Sequence, residues 1–183
     1  MRLLRTLRLD ASDTLVFPRA AAPGEWAVPG GFCFWGDAPG SLAGRRRQAF
    51  RAGFLGLGSF GWSTLVEVVE AEPAAAAAAQ AALAAHLLAE HGAPDAAAAA
   101  AAAAEEIAFA ASLAAEQPLG TVIAMTRTHD ADGAQRERFR TLSRRAGEGI
   151  GWHNGRPIFE IVPDDAWEEE GAAPPDLPGL ARS

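Results

Sequence analysis

Glycines at 56, 58 and 61, in Gly56-Leu57-Gly58-Ser59-Phe60-Gly61, have the spacing with which a loop can turn its backbone amides onto a phosphate. That chemistry needs more than glycines. A dinucleotide loop follows a strand, opens a helix and has an acidic residue about 20 positions further on for the ribose. Here Arg45 to Phe54 reads as a helix, because Leu42, Ala49, Phe50 and Phe54 recur at helical spacing, and Trp62 to Glu70 reads as a β-branched strand. Alanines stand where the acidic partner belongs, and the chain has no lysine of the sort a kinase-type loop requires. The glycines are therefore read as a close helix-to-strand turn, and no cofactor is expected.

A second constellation is basic. Arg136, Arg138, Arg140 and Arg144 fall on even positions of one expected strand, so their side chains share a sheet face, with Phe139 on the other. Such a row could hold a phosphate or carboxylate, and Arg46, between Arg45 and Arg47 on the first helix, could join it. The plainer reading is a solvated face whose arginines pair with Glu67, Glu70 or Glu160 across strands.

Signals for catalysis are thin. His86, Glu90 and His91 crowd one helix end, but paired metal-ligating histidines on a helix sit at i and i+4, whereas 86 and 91 are i and i+5, so no metal site is expected. Cys33 lies between phenylalanines, the setting of an inert buried thiol. His129 and Asp130 suit a hairpin tip, His153-Asn154-Gly155 suits a turn, and no serine sits in a nucleophile elbow. No catalytic residue is identified.

The aromatics are the remaining candidates. Nine of the 14 lie between Phe17 and Trp62, so this stretch must supply much of the core. Any of Trp26, Trp35, Trp62 or Trp152 left at the surface would make a partner-docking point, because indole side chains dominate binding hot spots. Trp35, where a strand runs into a loop, is the foremost of these.

The elements that would position these groups follow from periodicity and turn chemistry. Leu3–Leu9 and Thr14–Phe17 read as strands, Trp26–Trp35 as a strand interrupted at Pro29-Gly30-Gly31, and Ser41 as a helix cap before a helix over 42–55. Ala74–His91 and Asp95–Glu116 form an Ala-rich helical hairpin, with Asp95 capping the second helix. It carries few bulky anchors, so it is read as peripheral and loosely held. Gly120–Thr128 and Ala134–Arg144 form a β-hairpin around Asp132-Gly133, and Pro157–Val162 is a last strand. The sum is an α+β single domain over 1–163, with a mainly antiparallel sheet of five or six strands and three helices. An acidic, Pro-rich tail covers 164–183.

Composition bounds the function. At 183 residues with net charge −7, the chain can bury a real core and is a poor partner for nucleic acid. All 16 basic residues are arginine, as a GC-rich coding sequence would produce, which weakens any argument that a given arginine was selected over lysine. Arginines at 2, 5 and 8 break up the N-terminal apolar residues, and the long apolar runs are alanine, so neither a secretion signal nor a membrane partner is expected. A lone cysteine fits a reducing cytoplasm.

Arg8-Leu9-Asp10-Ala11-Ser12-Asp13-Thr14 through Pro23-Gly24-Glu25-Trp26-Ala27-Val28, and Gly53-Phe54-Leu55-Gly56 through Ser59-Phe60-Gly61-Trp62-Ser63-Thr64, resemble an uncharacterised bacterial family of unknown function. Arg136-Glu137-Arg138-Phe139-Arg140 and Gly179-Leu180-Ala181-Arg182 extend the likeness to most of the chain outside the Ala-rich hairpin. The resemblance implies an accessory role and assigns no activity, so no site residue carries over. The expected function is a non-catalytic cytoplasmic accessory or protein-interaction module with a protein partner or a second copy of itself. The alternative is a small-anion binder or enzyme using the arginine face.

Overall fold

The computed structural model describes residues 1–144 and the backbone of 159–161, with side chains through 142. It is an α+β domain built on one antiparallel sheet. The strands are β1 (Arg2–Leu7), β2 (Trp26–Val28), β3 (Phe54–Gly56), β4 (Trp62–Ser63), β5 (Leu65–Glu70), β6 (Val122–His129), β7 (Gln135–Arg144) and the short β8 (Phe159–Ile161). They lie in the order β4-β3-β2-β1-β5-β6-β7-β8. Seven strands fall within 1–144, more than the five or six expected, because Trp62–Glu70 divides into β4 and β5 and a short strand, β3, leads into the glycine loop. Among the described residues the helices are α1 (Ser12–Val16), α2 (Gly44–Ala52), α3 (Pro73–Glu90) and α4 (Ala96–Ala115), four where three were expected.

Register separates the two faces of the sheet. Leu4 pairs Val68, Val66 pairs Ile123 and Met125 pairs Phe139, and all but the half-buried Phe139 are buried on the inner face. Burying a Leu, Val or Ile of this kind stabilises by roughly 1.5–3 kcal/mol each. On the outer face Arg136, Arg138 and Arg140 are exposed, as the even spacing predicts.

The Ala-rich hairpin is a structural layer and not a loose appendage. Ala99, Ala103, Ile107, Ala110 and Ala114 make one buried stripe of α4, which packs on β1 and β2, while Ala79, Leu83 and Leu87 of α3 are buried too. The sequence reading undervalued alanine here: a methyl side chain buries little area but lets helix and sheet backbones approach closely. Asp95 caps α4 as expected, its Oδ1 accepting from Ala98 N at 2.8 Å. Arg2 donates to the carbonyls of Ala115 at 3.0 Å and Gln117 at 2.7 Å, tying the carbonyl end of α4 to β1. By length and composition alone α4 could cross a membrane.

Three local expectations fail for identifiable reasons. Residues 14–17 are not a strand: Asp13 turns inward to accept from Thr64 Oγ1 at 2.6 Å and Ser63 Oγ at 3.3 Å, holding α1 against β4. Ser41 does not cap α2; its hydroxyl bonds Ala38 O at 2.7 Å and Ala43 holds the N-cap position. After Val28 the chain leaves the sheet through Gly30, at φ 73°, into a 3-10 turn over Gly31–Phe34. The hairpin β6–β7 forms as read, with Gly133 at φ 82° and Asp130 O accepting from Gly133 N.

Candidate functional site

The glycine loop joins β3 to β4, so a strand, not a helix, leads into it, and another strand follows. Its amides face a side chain of the protein itself. Glu25 Oε2 accepts from Gly58 N at 2.9 Å, Ser59 N at 2.8 Å and Ser59 Oγ at 3.1 Å, and Oε1 accepts from Ala22 N at 2.7 Å. Burial works against ionisation of Glu25, but the bonds from Ser59, Ala22 and Gly58 outweigh it and hold the carboxyl below its ordinary range. The glycines make the space: a Cβ on Gly56 would lie 2.6 Å from Glu25 Oε2, and one on Gly58 would lie 3.1 Å from its Cδ. The anion that this loop cradles is a carboxylate of its own chain.

The tryptophans divide. Trp62 is 8 % exposed and tilts against Phe34 at 5.1 Å, so it is core and not a docking residue. Trp26 is half-buried beneath the Arg5 guanidinium, 4.2 Å from its ring centroid. Trp152 lies outside the described residues. Trp35 is 77 % exposed. It closes the 3-10 turn, where Phe32 and Phe34 point into the core and leave Trp35 to project outward.

Helix α2 stands beside that turn with Arg45, Arg46, Arg47 and Arg51 exposed and no acidic residue of its own. Arg46 braces the turn on both sides of Trp35, donating to Cys33 O at 3.3 Å and pairing with Asp37 at 2.6 Å. Its guanidinium also lies 5.3 Å from the centre of the Phe34 ring. Because α2 packs on the inner face, with Phe50 stacked on His129 at 4.6 Å, Arg46 does not join Arg136, Arg138 and Arg140 on the outer one. Of that trio Arg136 pairs with Asp130 at 2.8 Å, not with the glutamates expected across the strands.

The arginine that sequence reasoning missed is Arg127. It is fully buried, with Nε on Glu137 Oε1 at 2.7 Å and its terminal nitrogens on Phe50 O at 2.8 Å and Pro29 O at 2.6 Å. It thereby joins β6, β7, α2 and the approach to the 3-10 turn. Beside it Glu106 of α4 is pushed up to about 7, first by burial and then by Glu137, against the pull of Arg127 and a bond from the Gly30 backbone. Its Oε2 is buried and has no hydrogen-bond partner. Burial likewise pushes the Cys33 thiol up to about 12, with Arg127 opposing and Glu106 adding. The inert thiol expected from its phenylalanine neighbours fits that value.

Below the turn an open cleft of about 540 Å³ is lined by Arg19, Phe60, His86, Glu90 and His91. Phe60 adopts φ 51°, a left-handed conformation that costs a non-glycine residue on the order of 1 kcal/mol, and places its ring flat on His86. His91 has left the helix, so the i+5 spacing no longer separates the two imidazoles: their Nε2 atoms lie 3.3 Å apart. Cys33 Sγ lies 4.0 Å from His91 Nε2. Burial lowers both imidazoles below the ordinary histidine range; the His91 charge adds to this for His86, and Glu90 opposes it for both. Among the described residues no group of three His, Cys, Asp or Glu side chains could hold a metal ion.

A family of unknown function (DUF6505) matches residues 1–154, and the chain belongs to that family. No curated protein and no solved structure matches it.

Proposed function

We propose that this member of a family without an assigned activity is a non-catalytic accessory module of the cytoplasm, which docks a protein partner through Trp35 and the arginine helix α2. The observation that carries the reading is a free-standing indole on a braced turn next to four exposed arginines. Tryptophan and arginine are the side chains most enriched at interface hot spots, and a turn already held in one conformation loses little entropy on binding. Four positive charges on nine residues of a chain with net charge −7 favour a partner that presents acidic side chains around an apolar pocket. The lone cysteine and the charge balance support a reducing compartment and argue against nucleic acid.

Immobilised full-length protein exposed to native extract tests this reading. Wild type is expected to retain a discrete partner that elutes as salt is raised, and Trp35→Ala to lose at least about 30-fold in affinity, the equivalent of a 2 kcal/mol hot spot. Identical retention by the two proteins would overturn it. Sedimentation of the isolated protein distinguishes a second copy of the chain from a different partner.

The alternative, capture of a small anion by Arg136, Arg138 and Arg140, has less behind it. These side chains stand on an open sheet face, and Arg136 already pairs with Asp130. A thermal midpoint raised by phosphate or citrate, and lost in Arg138→Ala, would restore it.

A further inference from the structure

Two carboxyls share one guanidinium where the chain leaves the sheet for the 3-10 turn. Arg127, fully buried, pairs with Glu137 of β7 at 2.7 Å and donates through Nη2 to Pro29 O at 2.6 Å, while Glu106 of α4 takes a hydrogen bond from the backbone amide of the next residue, Gly30. Gly30 in turn starts the 3-10 turn: at φ 73° its carbonyl accepts from Cys33 N at 3.2 Å. The cluster lies hard against Gly31, where a Cβ would stand 2.9 Å from Glu137 Oε1 and 3.6 Å from Arg127 Nε. One arginine cannot neutralise two ionised carboxyls, and Glu106 Oε2 is buried with no hydrogen-bond partner. Glu105 of the same helix adds to the repulsion, and the Cys33 thiol on the turn feels Glu106 as well. The ionisable groups of β1 and α3, which also pack on α4, make their contacts elsewhere: Arg2 with Ala115 O and Gln117 O, Arg5 over Trp26, and His86 on Phe60 in the cleft that Glu90 lines.

We propose that Glu106 is a proton-operated latch on the turn that presents Trp35. Protonated, it stays beside the Arg127–Glu137 pair and keeps hold of Gly30. Ionised, it swings toward water and releases Gly30, so the turn loosens as pH rises. The sign follows from linkage: a carboxyl whose value in the closed arrangement is raised from 4.5 to about 7 stabilises that arrangement fully below 4.5, and the contribution is lost as pH climbs through about 7. Between pH 6 and pH 8 the ratio of released to held turn grows about tenfold. His91 touches the same turn, edge-on to Phe32 at 5.0 Å and with Nε2 4.0 Å from Cys33 Sγ, but burial keeps it below the ordinary histidine range and therefore mostly neutral across that window. The consequence for docking, tighter partner binding at the lower pH, rests on the reading of Trp35 as a docking residue; the latch itself does not.

Amide hydrogen exchange of the full-length protein at pH 6 and pH 8, with each rate divided by its intrinsic base-catalysed rate, tests the latch without a partner. Protection of the Cys33 and Trp35 amides, bonded to Gly30 O and Phe32 O, is expected to fall about tenfold in the wild type and to stay level in Glu106→Gln, while the Gly133 amide of the β6–β7 hairpin stays level in both. The Glu106 carboxyl, followed by carbon-13 NMR in the wild type, should titrate near 7, which decides the matter even where the variant folds poorly. Equal wild-type protection at the two pH values, the same fall in folded Glu106→Gln, or a Glu106 carboxyl titrating at its ordinary value would overturn the proposal. Partner retention from native extract at the two pH values separates the two readings: amides that respond with no partner retained at either pH sink the docking role and leave the latch standing, whereas a partner lost by Trp35→Ala but retained by wild type with amides indifferent to pH does the reverse.

Discussion

The glycine loop at 56–61 and the turn at Gly31–Trp35 have opposite characters. The loop looks like a ligand site in sequence, yet its Gly58 and Ser59 amides are bonded by Glu25, and its glycines leave room for that carboxylate and little else. The turn reads as an interruption of a strand, yet it and its surroundings hold groups whose physical demands are not met internally. Trp35 has no apolar cover and Glu106 Oε2 has no hydrogen bond. Glu25 and Glu106 make the contrast sharpest: one partly buried carboxyl is held down by four donors, and the other is pushed up to about 7. Internally satisfied groups build structure; binding is to be sought where satisfaction is incomplete.

The largest effect is expected at the ion pair beneath the turn. Arg127→Ala strands Glu137 and unties Phe50 O and Pro29 O, and should destabilise by about 3–5 kcal/mol in urea unfolding. Next comes the loop: Glu25→Ala leaves three amides and a hydroxyl without their acceptor, at a cost on the order of 2–3 kcal/mol. Because the folded-state pKa of Glu25 is depressed, its contribution is present above the ordinary value of 4.5 and is lost as pH falls through the folded value. Glu25→Gln should therefore flatten the acid limb of the stability curve.

Glu106 has the opposite sign. Its folded pKa is raised, so its contribution is fully present below 4.5 and is lost as pH climbs to about 7. Glu106→Gln should accordingly stabilise at pH 8 by on the order of 1–2 kcal/mol and do little at pH 4.5. A thermal midpoint unchanged at both pH values would show that the carboxyl is satisfied after all. Trp35→Ala should be the smallest of the series, within about 0.5 kcal/mol, because the indole packs on little.

Local signals made much of the fold legible. Asp132-Gly133 between alternating runs gave the β6–β7 hairpin, and Asp95 before an alanine run gave the start of α4. Period two placed Arg136, Arg138 and Arg140 on one face and Phe139 on the other. What stayed hidden depends on contacts between distant residues. Asp13 becomes helical because Ser63 and Thr64 reach it from fifty residues away, and Glu25 fills a loop 33 residues further on. Cys33 meets His91 across 58 residues. Arg127 was missed because an arginine in an alternating strand reads as a surface residue until its inward neighbours are known. Trp35 was the part of the proposed docking surface open to sequence reading, since an indole where a strand runs into a loop has few places to hide.

The central claim is that binding belongs to the turn and stability to the loop. Trp35→Ala and Glu25→Gln, each measured for thermal midpoint and for partner retention from native extract below that midpoint, test it most directly. The account predicts that Trp35→Ala keeps its midpoint and loses the partner, while Glu25→Gln lowers its midpoint and keeps the partner. Retention by Trp35→Ala together with loss by folded Glu25→Gln would contradict it.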